Sequence, residues 1–187
     1  MPLRGPFRLH TPRLTVRPIG RSDLPWLAEL WADPDVTRYL GGSKNRAEVD
    51  TWYEERVLGD SKAMEGLGIW LTVESATGEP IGFHLLNFIK GEPLIQVGFA
   101  LAAQFWNRGY ASEMALEVLR YGFADLGIPE INGIANVENT ASQRALEKIG
   151  LRRIGECRFP AYDGLLARFV GEREAWLRDH AHARRET

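Results

Sequence analysis

Residues 104–112, Gln104-Phe105-Trp106-Asn107-Arg108-Gly109-Tyr110-Ala111-Ser112, stand where the chain changes period. Before them, Leu94-Ile95-Gln96-Val97-Gly98-Phe99-Ala100-Leu101 reads as a strand. After Gly109, the residues Ala111, Ala115, Val118, Leu119, Phe123 and Leu126 form one helical apolar stripe, closed by Gly127 and Pro129. The start of such a helix has unpaired backbone N–H groups and a partial positive charge, which suit a phosphate. Gly109 permits a left-handed turn or a close backbone approach, and Ala111 keeps the next turn slim. The spacing is neither that of a nucleotide P-loop nor that of a dinucleotide-binding turn. Taken alone, the stretch is explained equally well as an ordinary strand-to-helix turn with a permissive glycine.

On the N-terminal side, Gly68–Glu74 and Ile81–Phe88 are β-rich runs joined by the turn Thr77-Gly78-Glu79-Pro80. With the Leu94–Leu101 run they predict three consecutive antiparallel strands. Further out, Leu14-Thr15-Val16-Arg17 alternates as a first strand closed by Pro18. Ser22 or Asp23 caps a helix carrying Leu24, Leu27, Leu30 and Trp31, and Asp33-Pro34 stops it. The turn Gly41-Gly42-Ser43 leads to a second amphipathic helix over about 47–57. Residues 1–12, with Pro2, Pro6 and Pro12, read as an extended lead-in. On the C-terminal side follow a strand Ile131–Val137, a short helix Thr140–Ile149, a strand Leu151–Cys157, a last strand Leu165–Val170 and a polar tail over 178–187. The order β-α-α-β-β-β-α-β-α-β-β is α/β, a mixed sheet with helices packed on it.

The chain of 187 residues is expected to be one domain over 1–187, long enough for a sizeable core. It is 44% hydrophobic and 26% charged, too apolar for disorder. A net charge of -2 lacks the basic excess of a duplex-binding protein, so no nucleic-acid partner is expected. The one cysteine, Cys157, excludes an internal disulfide or a CxxC site and reads as a small buried hydrophobe. The opening Met1–Arg8 holds no apolar run of signal-peptide length, and no stretch approaches ~18 apolar residues. A cytoplasmic protein without a membrane partner is the expectation.

A second polar turn, Asn136-Val137-Glu138-Asn139-Thr140-Ala141-Ser142, sits at the next strand-to-helix junction, with Asn139 as N-cap and Gly150 closing the helix. Two polar strand ends that each start a helix would make a cleft for an extended ligand with phosphates at one end. Three stretches then carry a family resemblance. Thr11-Pro12-Arg13-Leu14-Thr15-Val16-Arg17-Pro18 is similar to a T-x-R-L-x-L-R-P opening. Trp106-Asn107-Arg108-Gly109-Tyr110-Ala111 is similar to a pyrophosphate loop, and Asn139-Thr140-Ala141-Ser142 with Lys148-Ile149-Gly150-Leu151 to an N-x-x-S…K-x-G-F pair. In this order and spacing, from Thr11 to about Leu177, the chain resembles the GNAT superfamily of acetyl-CoA-dependent N-acetyltransferases, in its RimJ/RimL-type branch of ribosomal-protein N-terminal acetyltransferases.

The resemblance implies a single twisted, mostly antiparallel sheet of about seven strands flanked by about four helices, acetyl-CoA as donor and no metal. It implies that backbone N–H groups of Trp106, Asn107, Arg108, Gly109, Tyr110, Ala111 and Ser112 form the pyrophosphate loop. The edge of Phe99, Ala100 and Leu101 would pair with pantetheine amides and supply an oxyanion donor. Asn139 would bind the pantetheine arm, and Ser142 would lie near the thioester sulfur as proton donor, since the tyrosine of other branches falls at Leu146. Two departures concern the loop: Trp106 stands where Gln or Arg is common, and Asn107 replaces a glycine, though Asn tolerates unusual φ. A third concerns the base. Many relatives carry Glu where this chain has Gln96, and an amide takes no proton; Glu138, His84 or a water chain are the substitutes.

The remaining candidates read as structural. His10, His84, His180 and His182 show no metal spacing beyond His-x-His at 180–182. Trp31 and Trp52 fall on helix stripes and are expected in the core or lining a cleft. Arg184-Arg185 is too short for a nucleic-acid patch. The acceptor implied is a primary amine, a peptide N-terminus or a small molecule, attacked directly in a ternary complex, and a homodimer is the common default for such chains. A catalytically silent CoA-binding module, favoured by Gln96, and an unrelated βα turn with no CoA site stay open beside it.

Overall fold

The computed structural model describes residues 7–59, 62 and 64–180. The strands are β1 (Leu9–His10), β2 (Leu14–Pro18), β3 (Gly68–Glu74), β4 (Pro80–Phe88), β5 (Ile95–Leu101), β6 (Glu130–Asn136), β7 (Arg152–Cys157) and β8 (Leu166–Glu172). The helices are α1 (Leu24–Ala32), α2 (Pro34–Thr37), α3 (Arg46–Trp52), α4 (Tyr110–Arg120), α5 (Thr140–Lys148) and α6 (Arg173–Asp179). One eight-stranded sheet runs β1-β2-β3-β4-β5-β6-β8-β7, antiparallel throughout except between β5 and β6.

Period-two alternation assigns the sheet's two faces. Ile69 and Leu71 of β3 and Phe83 of β4 join Leu24, Leu27, Leu30 and Trp31 of α1, Val49 of α3 and Tyr53 just after it. Trp70 of β3 and Leu86 of β4 join the opposite core with Met114, Ala115, Val118 and Leu119 of α4. Ile81 has the parity of Phe83 yet lies in the α4 core, because it is the extra residue of a bulge: Thr72 pairs Gly82 and Val73 pairs Pro80.

The feature that makes room for a ligand is the joint between β5 and β6. Their parallel pairing is recorded only at Gln96↔Asn132, so the strands splay beyond it. α4 is the crossover between them, and its start and that of α5 border the opening.

The expected elements are found, with corrections at the margins. The lead-in contains β1, a two-residue strand paired to β2, and Asp33-Pro34 ends α1 only to begin the single turn α2. The helix expected over 47–57 is α3, opened by a reciprocal Asn45–Glu48 cap, followed by a π-helical turn over Tyr53–Leu58. Residues 178 and 179, expected in the tail, complete a helix. Residues 173–179 form α6, and Trp176 is buried, its Nε1 donating to the Ile149 carbonyl at 2.8 Å. His180 stacks on Trp176 with ring centroids 4.1 Å apart. His182 and Arg184-Arg185 lie outside the described residues, as do Pro2 and Pro6. Among the described residues no helix is long and apolar enough to cross a membrane.

Candidate active site

The loop between β5 and α4 adopts the backbone its residues were singled out for. Gly109 has φ 78° and Asn107 φ 61°, the latter the positive φ found outside glycine among the described residues. Left-handed backbone thus stands on either side of Arg108, the kind of turn from which anion-binding nests are built. The first bond of α4 runs from Glu113 N to Gly109 O at 3.0 Å, so the N–H groups of Tyr110, Ala111 and Ser112 precede any helical acceptor. The Ser112 hydroxyl, by contrast, is buried and donates to Gly109 O at 3.2 Å. Trp106 is 43% exposed, and its indole N–H donates to Leu101 O at 2.7 Å, bracing the loop on the end of β5. That bond occupies the Leu101 carbonyl.

The loop is held from behind by the opening motif, a role the sequence reading did not assign. Arg13 Nε donates to Glu113 Oε2 at 2.7 Å, Arg13 Nη2 donates to Arg108 O at 3.0 Å, and the guanidinium lies 4.5 Å from the Tyr110 ring centroid. Thr11 Oγ1 donates to Glu113 Oε1 at 2.6 Å. Burial raises the Glu113 pKa, but the bonds from Thr11 and Arg13 outweigh it and hold the carboxyl below its ordinary range. A carboxylate in the first turn of α4 would repel a phosphate; here its charge is turned away and neutralised.

Across the opening, Asn139 Oδ1 accepts from Ser142 N at 3.1 Å and caps α5. With Oδ1 used, the Asn139 amide N–H groups are left without a partner among the described residues. The Ser142 hydroxyl has no partner among the described residues. The cleft so formed, about 510 Å³, is lined by Phe99, Ala100 and Leu101, by the loop from Trp106 to Ser112 apart from Arg108, and by Glu138, Asn139 and Ser142. Arg38, Arg144 and Lys148 add positive charge to its walls against Asp35 and Glu138. A second chamber of about 670 Å³ lies under α1 and α3, walled by Trp31, Trp52 and Phe83. The two cavities share Arg38, Tyr39 and Leu40 on one side and Phe99, Asn139 and Ser142 on the other.

The two side chains offered in place of a carboxylate base, His84 and Glu138, fare differently. His84 is fully buried and lines neither cavity. Its Nε2 meets the Ala111 carbonyl at 3.0 Å, so Nε2 carries the proton and Nδ1 accepts from Thr72 Oγ1 at 2.7 Å. Burial lowers its pKa to about 4, the bond to Ala111 opposing. No lone pair is left for an amine, and of its two readings, substitute base or structural histidine, the geometry gives the second: a strut between sheet and loop. Glu138 is exposed on the cofactor side and does not line the second chamber. Gln96 does line it, its Nε2 donating to Asn87 Oδ1 at 3.3 Å and to the Tyr162 hydroxyl at 3.5 Å.

The other cautious readings can be placed as well. Trp52 contacts Trp31 and Phe83, at ring-centroid distances of 5.5 and 5.6 Å, so both tryptophans are wall and core at once. Cys157 is half-buried, and burial raises its thiol pKa, with Arg168 opposing. His10 bonds Thr15 at 3.0 Å. Among the described residues no group of His, Cys, Asp or Glu converges as metal ligands would.

Residues 13–152 match the family described as acetyltransferase (GNAT) domain. An Aspergillus fumigatus protein named FsC-acetyl coenzyme A-N(2)-transacetylase is 29% identical, over 95% of this chain and 81% of its own. A Bacillus subtilis protein named uncharacterized N-acetyltransferase YoaA is 30% identical, over 80% of this chain and 85% of its own. The crystal structure of the acetyltransferase from Agrobacterium tumefaciens superposes with a TM-score of 0.79 at 23% identity, covering 90% of this chain and 95% of the other, a likeness of fold.

Proposed function

The chain belongs to the acetyltransferase (GNAT) family and uses acetyl-CoA, and from that premise we propose that it acetylates a primary amine by direct attack in a ternary complex. The observation that carries this reading is the junction of the two cavities at Phe99, Asn139 and Ser142: a thioester drawn along one meets an amine held in the other. The N–H groups of the 107–112 loop would bind the pyrophosphate, with Arg144 and Lys148 alongside, and Asn139 would bind a pantetheine carbonyl. A backbone N–H at the splayed edge of β5, among Phe99–Leu101, would receive the developing oxyanion. Ser142 would donate a proton to the departing thiolate.

Proton removal sets the acceptor. With Gln96 in the chamber and His84 sealed away, an amine must reach the site already neutral or lose its proton through water. At pH 7 an α-amine near pKa 7.7–8.0 needs about 1 kcal/mol to do so, and a lysine-type amine near 10.4 about 4.6 kcal/mol. The acceptor is therefore an amine of lowered pKa: a peptide N-terminus, as the RimJ/RimL resemblance implies, or a small molecule. The single free thiol fits a cytoplasmic setting. Thiol release from acetyl-CoA with a panel of amines tests the reading, and turnover of at least one amine, scaling with enzyme, is the expected result. Tight acetyl-CoA binding with no turnover of any amine would select the silent module that Gln96 favours.

A further inference from the structure

The charge and the walls of the second chamber narrow the acceptor further, on the premise of the proposed transferase reading. Among the described residues Lys44, Arg56 and Lys90 line this chamber, with Arg38 shared with the cofactor cleft, against one carboxylate, the exposed Asp163. Arg56 is engaged, its Nη2 donating to the Phe88 carbonyl at 3.3 Å. Lys44 is different. Its backbone N–H donates to the Trp31 carbonyl at 2.9 Å, which fixes the residue, and its ammonium lies 4.4 Å from the Trp31 ring centroid. No carboxylate pairs with Lys44 among the described residues. A fixed, half-buried cation held on an aromatic face is a ready counter-charge for an anion.

A second observation points the same way. Trp31 is 6% exposed and lines the chamber, and its indole Nε1–H is buried with no acceptor among the described residues. A buried donor without a partner is rare in folded proteins. Here it belongs to the ring over whose face the Lys44 ammonium lies. Both ask for an acceptor oxygen, while Trp31, Trp52 and Phe83 form a flat apolar wall.

We infer that the chamber beyond Ser142 takes a small primary amine that also bears a carboxylate on a flat apolar body, the carboxylate meeting Lys44 on the Trp31 side. A polyamine or an aminoglycoside, with several positive charges, is disfavoured by the same field. The positive chamber also compensates for the absent general base. Cations around a bound ammonium disfavour its charged form, lower its pKa and release the neutral amine that attacks.

The test uses the full chain with two acceptors that differ by one charge, 4-(aminomethyl)benzoate and 4-(aminomethyl)benzamide, together with spermidine. Binding to the CoA-loaded protein is read by calorimetry and acetylation by thiol release. The carboxylate is expected to bind at least about tenfold tighter than the amide, the scale of one charge-assisted hydrogen bond. Lys44→Gln should erase that preference and leave acetyl-CoA affinity unchanged, and Trp31→Phe, which keeps an aromatic face of smaller area and removes the N–H, should reduce it. Preference in binding without acetylation would uphold the inference and count against the transferase reading. Acetylation with no preference, a preference for the amide or for spermidine, or no binding of either benzoyl compound would overturn the inference.

Discussion

Ser142 and Gly109 act at single atoms, and their substitutions should separate chemistry from binding. If Ser142 Oγ protonates the departing thiolate, its work is done only in the transition state. Ser142→Ala should then lower kcat by about 10²-fold or more, leaving acetyl-CoA affinity within a few fold. Steady-state kinetics showing a change confined to the acetyl-CoA KM would remove Ser142 from the chemistry. Gly109 is the opposite case. It sits at φ 78° as the N-cap of α4, and a Cβ there would come within 3.6 Å of Arg13 Nη2. A side chain at that φ is strained, and a carboxylate would meet pyrophosphate charge. Gly109→Glu should abolish acetyl-CoA binding in calorimetry while the far-UV spectrum stays native; unchanged affinity in the folded variant would show that the pyrophosphate lies elsewhere.

At the scale of elements, the approach to β2 and the start of α4 work as one piece, joined through Arg13 and Glu113, one hundred residues apart in sequence. The clasp fixes the loop whose N–H groups are proposed to bind the pyrophosphate. Arg13→Ala should therefore weaken acetyl-CoA binding by about tenfold with little change in kcat, and Arg13→Lys should fail to restore it, because a point charge cannot give the forked contacts and the stacking. Full rescue by lysine would reduce the clasp to simple charge neutralisation. This clasp also marks the limit of what sequence pattern reveals. The strand-to-helix turn at 104–112 was legible because periodicity is local, and Asn107 and Gly109 have residue types suited to positive φ. Thr11 and Arg13 were visible as a motif, but their partner was not, since nothing in a pattern records a contact across the sheet. Short pieces escaped for another reason. β1 and α2 span two and four residues, about one repeat of their own hydrophobic periods and too few to show a pattern, and α6 offers only Trp176 and Leu177 as large apolar anchors. The chamber behind Ser142 needs the splay of β5 from β6, a fact of register rather than composition.

For the molecule as a whole, His84 couples the stability of the fold to the geometry of the site. It joins β3, β4 and the first turn of α4 through Thr72 and Ala111, and it is neutral down to about pH 4, against 6.5 for a free histidine. As pH falls below 6.5 the unfolded chain takes up a proton that the folded chain refuses. The stabilisation conferred by neutral burial is thus complete above 6.5 and is lost progressively towards pH 4. Linkage puts the loss at about 2 kcal/mol between pH 7.5 and pH 5. Carboxyls held below their ordinary range, such as Glu113, add their own loss as pH falls through their lowered pKa values, so the histidine share is read as a difference. His84→Gln, which can still donate to Ala111, should show a shallower fall in urea-unfolding free energy over this window than the wild type. The His84 ring signals in the wild type should also stay at their neutral position down to pH 5 by NMR. Equal slopes, or a ring that titrates near 6.5, would mean that the histidine is not sealed in the folded state. Protonation of Nδ1 removes its acceptance from Thr72 and places a charge in a fully buried site, while the Nε2–H bond to Ala111 is kept; the cost falls on the packing of α4 against the sheet, next to the loop proposed to hold the pyrophosphate. Acetyl-CoA affinity should accordingly fall together with stability as the pH drops towards 4, a parallel that a catalytic base exposed in the chamber would not produce.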